Sequence, residues 1–540
     1  MNTRSELSQN QTPRPVVWMV FVALLAVFFQ SGAQASSVKS DSAERLRALL
    51  QGTEPSVGGI RLHAPISTRR FYEQRQYRLA WTAPDQNLSR DLMTAIAASE
   101  QQGLKPQNYH QALLTSSSFS DEVMRDILST DAWLSLAANV LGGQLDPVSM
   151  EPDWTAARRE RDLPALLAKA IESNTVADSI LALEPNAPEY GHLKRALSRL
   201  LSAPLIAFKP FPSAAVLKPG QADDRLPALC EALKRFQENC AGVPERYEGE
   251  LVAAVKRIQA KAGLEADGVI GPATVKLLNM GNEQRIRQLR VNLERWRWLP
   301  EDLGQKHIRV NIADFSLKAV YNNTVDREHA VIIGRNYRQT PVFSGQIRYL
   351  VFNPWWETPA SIARKDKLTE FKADPSKVKQ QGFELRDTDG NVLNPDSVDW
   401  RAYNSNRLPI RMRQRPGPNN ALGKVKIMFP NAHSVYLHDT PGKALFNKAE
   451  RAFSSGCVRV KGAMDLSRWL LQVNNDSDKA LLEKSLNDFE ERRVNLKSPV
   501  PVHMNYITTV VTEDGGIRYL NDVYDRDDRV AKALGIRADQ

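Results

Sequence analysis

At 540 residues the chain is too long for one compact core, and its length predicts about three domains. Charged residues make up 25% and hydrophobic residues 42%, ordinary values for a soluble globular protein. The formal charge of +10 attracts anions, so nucleic acid, an acidic cell-wall polymer and an anionic membrane surface are the candidate partners. The basic residues are scattered and no nucleic-acid motif occurs, so no nucleic-acid partner is expected.

In chain order, Arg4 and Arg14 precede an apolar run from Val16 to Phe29, and Ala33-Gln34-Ala35 supplies a small-x-small cleavage site. This is the pattern of a secretory signal peptide, assigned to 1–35. The run is shorter than the ~20 residues of a spanning helix, so an exported protein is expected; left uncleaved, the run would tether it to the membrane. There are three cysteines, Cys230, Cys240 and Cys457, too few for a disulfide scaffold. On one continuous helix Cys230 and Cys240 would lie about 15 Å apart, beyond bridging. A bridge therefore requires the helix to end before Cys240, and it stays open.

Ser36 to about Ser56 is polar and helix-prone. From Phe71 to about Ser202 the chain reads as mainly helical, with apolar spacing of three and four over Asp91–Ala98, Asp121–Leu141 and Leu163–Leu183. Gly103-Leu104-Lys105-Pro106 and Leu145-Asp146-Pro147 read as stops. A Pro-rich stretch, Phe208 to Pro219, reads as a linker. An amphipathic helix follows over Leu251–Gln259, then the turn Asp267-Gly268-Val269-Ile270-Gly271-Pro272-Ala273-Thr274 and a short helix to Asn279. Glu294–Leu299 reads as a short helical bridge. A β-rich region begins with Ile308–Ile312, Ser316–Tyr321, His329–Ile333 and Gly345–Phe352. From Arg364 to Arg411 the pattern turns polar and turn-rich, an insertion placed to cap whatever site follows. Lys426–Phe429, Val435–His438 and Pro501–Val511 read as further strands.

The chemistry concentrates in Val435-Tyr436-Leu437-His438-Asp439-Thr440-Pro441 and Phe453-Ser454-Ser455-Gly456-Cys457-Val458-Arg459-Val460. Cys457 follows a glycine where a loop gives way to an apolar stretch, and His438 ends a strand-like run. These are the parts of a thiol nucleophile with an imidazole base. Backbone N–H groups at Gly456 and Cys457 are candidate oxyanion donors. Tyr436 shares the strand face of His438. Arg459 offers a planar fork for a carboxylate or a brace for the loop. The group that orients His438 is open between Asp439 and a backbone carbonyl. The spacing of His433 and His438 does not suit one strand face and no metal-binding signature occurs, so neither metal nor cofactor is expected.

The pattern of a strand ending in His-Asp-Thr-Pro, then Ser-x-Gly-Cys-Val-Arg, resembles the catalytic signature of the L,D-transpeptidases (the YkuD-like domain). Asn353-Pro354-Trp355-Trp356-Glu357-Thr358-Pro359 resembles the same domain in the large periplasmic branch. One position departs from the commonest motif: Ser455 stands where a histidine is usual. Phe71-Tyr72-Glu73, Leu79-Ala80-Trp81 and Gly103–Tyr109 resemble the helical scaffold domain of that branch. Gln259 with the Asp267–Thr274 turn resembles a three-helix peptidoglycan-binding module.

The resemblance implies a multi-domain α+β chain. Its parts are a signal peptide (1–35), a helical scaffold domain (36–210), a peptidoglycan-binding module (215–282), a β-rich catalytic domain (305–490, with a capping insertion at 364–411) and a C-terminal strand and tail (491–540). It implies acyl transfer in the periplasm. Cys457 would attack a tetrapeptide stem after its third residue, with His438 as base, Gly456 and Cys457 as oxyanion donors, and Tyr436, Arg459, Ser455 and Trp356 at the substrate. The thioester would pass to a stem amine, giving 3→3 cross-links. Peptidoglycan stems and glycan, β-lactams of the carbapenem type and other cell-wall synthesis enzymes are the implied partners. Two other classes remain: a cysteine hydrolase on peptidoglycan or protein–peptidoglycan links, and a wall-binding scaffold without catalysis.

Overall fold

The computed structural model describes residues 41–52, 56–82, 87–204, 208–240, 242, 244–472 and 489–536. The leader reading at 1–35 lies outside them. Among the described residues no helix is long and apolar enough to cross a membrane. The chain divides into two compact units. The first takes the chain up to Ser99, Lys105–Asn139 and Arg161–Leu183; the second takes Glu100–Leu104, Val140–Glu160 and Glu184 onward. The domain expected over 36–210 is therefore shared between two units.

The first unit is helical. Its helices include Pro65–Gln74, Leu88–Ala98 and Leu163–Glu172. Two of the scaffold-like phrases meet at one buried carboxylate. Asp126 accepts the Tyr72 hydroxyl at 2.6 Å and the Ala80 and Trp81 N–H groups at 2.9 and 2.8 Å. The single helix expected over Leu163–Leu183 is two, because Asn174 adopts φ 52° and the Thr175 N–H closes on Ala170 O at 2.8 Å. That is a helix C-cap with asparagine in the left-handed position.

In the second unit a small helical module packs Leu226–Lys234, Gly249–Ala262 and Pro272–Leu278 around Leu229, Leu233, Val255, Ile258 and Leu278. The stretch read as a linker joins this core. Phe211 is buried in it and exchanges hydrogen bonds with Asn279, and Leu217 bridges to Ile270. The first helix stops at Lys234, so Cys240 lies off it and forms a disulfide with Cys230. The Gln259 side chain is 1% exposed. It donates to Val269 O (2.9 Å) and Thr274 Oγ1 (3.0 Å) and accepts from the Gly268 N–H (2.9 Å). The marks that resemble a peptidoglycan-binding module thus hold its turn together.

The bridge expected at 294–299 is a helix from Asn282 to Trp298, much of it buried despite its charges. Each buried charge has a partner. Glu294 takes Arg297 at 3.0 Å, Trp298 Nε1 at 3.1 Å and the Leu145 N–H at 2.9 Å, and Arg295 meets Asp527 at 2.5 Å. Asn292 and Gln288 anchor the chain around Thr508.

Against this helix stands a nine-stranded sheet. Its strands are β1 (Lys306–Asn311), β2 (Ser316–Tyr321), β3 (Thr324–Gly334), β4 (Phe343–Phe352), β5 (Val425–Met428), β6 (Leu437–His438), β7 (Ala452–Ser454), β8 (Val458–Val460) and β9 (Arg492–Asn505). They run in the order β7-β3-β8-β6-β5-β4-β9-β1-β2, and β2 also pairs with β3, which closes the sheet on itself. One face carries Leu350, Ile427, Leu437, Val458, Val460 and Val502 into the main core, to which the helix Ala463–Leu471 adds Leu466 and Leu470. β9 lies between β4 and β1. The sheet therefore runs past residue 490, the boundary read from sequence.

The insertion is a folded lobe. Trp356–Glu357, Arg411–Gln414, Phe383–Arg386 and Val392–Leu393 form a four-stranded sheet over a core of Phe371, Phe383, Leu385, Trp400 and Met412. That core reaches from Trp356 to Leu422, beyond the 364–411 read as polar.

Gln259→Ala would leave the Gly268 N–H without its buried acceptor. Its cost is expected to be ~1–3 kcal/mol, read as faster amide hydrogen exchange at Gly268 and Val269 with little change in the nine-stranded sheet.

Candidate active site

The register of two short parallel strands assembles the site. In the β6–β8 pair Leu437 stands opposite Val458 and His438 opposite Arg459, and the Val458 N–H reaches Tyr436 O at 3.1 Å. Leu437, Val458 and Val460 point into the core. By alternation Tyr436, His438, Cys457 and Arg459 share the other face. The rings of Tyr436 and His438 lie 5.6 Å apart. On the antiparallel side, Lys426 of β5 stands opposite His438. Its ammonium sits over the Tyr436 ring, 4.1 Å from the centroid.

His438 is buried, and its Nδ1 lies 2.5 Å from Asp439 O. A carbonyl only accepts, so Nδ1 carries the proton and Nε2 is left as an acceptor. Burial first, then the charge of Arg459, lowers the imidazole to about 3. The ring is therefore neutral, in the tautomer a general base needs. The orienting group is thus the backbone carbonyl of Asp439. The Asp439 carboxylate turns away, accepting the Lys424 N–H at 3.0 Å and pairing with Lys443. Gly423 (φ 60°) leaves room for it, since a Cβ there would come within 2.4 Å of that carboxylate.

Cys457 is partly buried. Burial raises its thiol, opposed by contacts from the Tyr436 backbone and phenol and by the charges of Lys426 and Arg459. The sulfur lies 3.7 Å from Ser434 O rather than on the imidazole. The turn before it is tied down. Ser454 Oγ accepts the Gly456 N–H at 3.1 Å and donates to Cys457 O at 2.5 Å, and Thr340 Oγ1 donates to Gly456 O at 2.8 Å. Gly456 has φ 116°, a conformation that suits glycine. Of the two amides expected to serve an oxyanion, that of Gly456 is taken by Ser454. The Cys457 N–H has no protein acceptor among the described residues.

The remaining candidates divide. Arg459 is beside His438, and its Nε is buried without a hydrogen-bond partner. Ser455 faces a different group: its hydroxyl accepts from Arg338 at 2.8 Å, and Arg338 also pairs with Asp366 of the lobe at 2.8 Å. Trp356 is packed in the lobe core, 6.0 Å from the Phe383 ring, and meets the site through the Tyr436 hydroxyl. Ser454 heads the Ser-x-Gly-Cys pattern, though its hold on the turn leaves no mark there; sequence reasoning missed Lys426, Thr340 and Arg338. Only strand pairing and loop closure bring them in, and neither leaves a mark in local spacing.

Comparison with known proteins follows the same division of the chain. Residues 305–502 match the family profile of the L,D-transpeptidase catalytic domain, residues 224–278 that of a peptidoglycan-binding domain, and residues 67–197 that of a scaffold domain. A Haemophilus influenzae protein named "Putative L,D-transpeptidase" is 34% identical over 248 residues, covering 45% of this chain and 49% of that protein. The chain thus spans about half the length of that curated relative. Solved L,D-transpeptidases from Xylanimonas cellulosilytica and Stackebrandtia nassauensis are each 14% identical. They cover 54% and 55% of this chain, and 99% and 97% of their own, at TM-scores of 0.16 and 0.21, overlaps that add nothing on the fold.

The His438 imidazole has a pH consequence. An unfolded histidine binds its proton near 6.5, whereas the folded ring does so only near 3, so acid favours the unfolded chain. The stability is complete above pH 6.5 and is lost as pH falls towards 3. His438→Gln should therefore show a smaller drop in melting temperature between pH 7 and pH 4 than the parent protein.

Proposed function

We propose that this chain, which carries an L,D-transpeptidase catalytic domain, forms 3→3 peptidoglycan cross-links through a cysteinyl thioester, with tetrapeptide stems as acyl donors. The observation that carries this reading is a neutral His438 with a free Nε2 on the same sheet face as Cys457, at a glycine turn whose next N–H has no protein acceptor. In this reading His438 takes the thiol proton as Cys457 attacks the amide after the third stem residue. The Cys457 N–H donates to the carbonyl oxygen as it gains charge. His438 returns the proton to the leaving D-alanine amine, and a thioester remains. A stem amine then attacks the thioester and gives its proton to His438, which passes it to the departing sulfur, restoring the thiol and the neutral imidazole.

The lobe supports transfer over hydrolysis. It has its own core, and Arg338 joins its Asp366 to Ser455 beside the nucleophile. A lobe held there shields a thioester from water. The peptidoglycan-binding domain at 224–278 fits a wall-bound substrate, and the N-terminal leader pattern fits export to the periplasm.

Incubation with tetrapeptide-bearing muropeptides followed by mass spectrometry tests the reading. Cross-linked dimers are expected, and none from Cys457→Ala, which should keep its melting temperature. Trimmed monomers alone would make the protein a hydrolase, and unchanged muropeptides would leave a scaffold. A carbapenem should add one mass adduct to the parent and none to Cys457→Ala.

Asp366→Ala tests the lobe. The variant is expected to shift products from dimers towards hydrolysed monomers, by several-fold, with Cys457 alkylation by iodoacetamide unchanged. An unaltered ratio would remove the lobe from the partition between amine and water.

A further inference from the structure

Three neighbouring strands set three nitrogen-bearing side chains in one row. Lys426 is opposite His438 in the β5–β6 pair, and His438 is opposite Arg459 in the β6–β8 pair. Residues opposed in a ladder share a face, and strands are about 4.8 Å apart. The two cations therefore flank the imidazole on either side. The next row on that face holds Tyr436 and Cys457.

Among the described residues neither cation forms an ion pair with a carboxylate. Arg459 has a buried Nε without a hydrogen-bond partner, and the charge of Arg335 acts against its own. Lys426 rests on the Tyr436 ring. The carboxylate whose field reaches it, Glu491, is bonded to the Trp355 N–H at 2.7 Å and forms no ion pair with it among the described residues. Burial holds both side chains below their ordinary values. Two partly buried, unpaired cations are costly unless something anionic completes them. Here both charges act on the Cys457 thiol, in the next row of the same face.

We infer that Lys426 and Arg459 form a clamp for the carboxylate of the acyl donor's leaving residue, so that the enzyme selects stems whose free carboxylate sits on the carbon bearing the scissile nitrogen. The inference rests on the transpeptidase reading and names the group that selects its donor. His438 must meet the leaving nitrogen to return the proton. In a terminal D-alanine the carboxylate is two bonds from that nitrogen, so a group bonded near His438 brings its carboxylate between the flanking cations. A stem one residue longer puts a neutral amide at that point. The clamp then loses its ion pairs, and a site built for a polar group rejects analogues that lack it.

The test uses the full-length protein and two synthetic donors, a tetrapeptide stem ending in a carboxylate and the same stem ending in a carboxamide. Release of the terminal residue is followed for each, and alkylation of Cys457 by neutral iodoacetamide serves as the control. The parent is expected to prefer the carboxylate by about tenfold or more, as befits hydrogen bonds to a charged group. In Lys426→Met the preference should shrink towards unity, mainly through KM for the acid donor, and Lys426→Arg should restore much of it. Arg459→Gln should act in the same direction.

A parent that turns over both donors equally would overturn the clamp. So would variants that retain the preference. Variants that slow both donors and iodoacetamide by one common factor would show that the cations only tune the thiol. Release from neither donor by a parent that still reacts with iodoacetamide would overturn the transpeptidase reading, and the clamp with it.

Discussion

The site depends on the register of the parallel β6–β8 pair. β6 is two residues long and β8 three, so little hydrogen bonding of their own holds them. A slip by one residue would send Cys457 and Arg459 to the core face and Val458 to the site. What prevents it lies outside the pair. Leu437, Val458 and Val460 are fully buried, so a slip would bury an arginine in the main core. The Asp439 N–H reaches Val425 O at 2.9 Å, and the Arg335 N–H reaches Ser454 O at 3.0 Å, fixing both segments from their flanks. The Ser454–Gly456–Thr340 bonds fix the intervening turn.

Burial and charge oppose each other at the nucleophile, and burial wins. Two cations and the Tyr436 contacts favour the thiolate, yet the thiol remains above its ordinary value. The same cations and the same burial act together on His438, and both favour the neutral ring. The resting pair is therefore thiol and imidazole, not thiolate and imidazolium. Such a pair has a low standing thiolate fraction, which limits oxidation and stray alkylation. It also makes the nucleophile conditional: the proton has to leave as the carbonyl arrives. An anionic ligand between the cations would weaken their hold on the imidazole proton affinity, raising the basicity of His438 when a donor is bound.

How much of this is legible in sequence follows from how local each feature is. Cys457, Gly456 and His438 stand out because turn chemistry and the end of a strand are local patterns. The face shared by Tyr436 and His438 is legible from period two alone. Lys426 is not, because its role comes from pairing with a strand twelve positions away across a turn. The carbonyl of Asp439 leaves no side-chain signature at all. Of the helix Asn282–Trp298 only the last turn is legible in sequence, because Arg285, Arg287, Arg295 and Arg297 look like solvent-facing charges. In the fold Arg295 and Arg297 are buried against Asp527 and Glu294, partners that lie on a distant segment and on the same helix. The lobe hid its core in the same way: Phe371, Phe383 and Trp400 are spread among charged residues with no single period. The Cys230–Cys240 bridge turned on where one helix ends, the least legible property of any element.

The small helical module shows how a motif can mark a fold more strongly than a ligand site. Its signature glutamine, aspartate-glycine turn and threonine are directed at one another inside the module. Gln259 and Thr274 are buried in that network and occupied by it, whereas Asp267 is exposed. One surface residue already has a partner nearer the chemistry: the Glu265 carboxylate accepts the Ala449 N–H at 3.1 Å. Ala449 lies in the segment between His438 and Cys457, just ahead of β7. That bond joins the module to the segment that leads to β7. The same segment runs on into β7, whose last residue, Ser454, ties down the Gly456 amide and the Cys457 carbonyl.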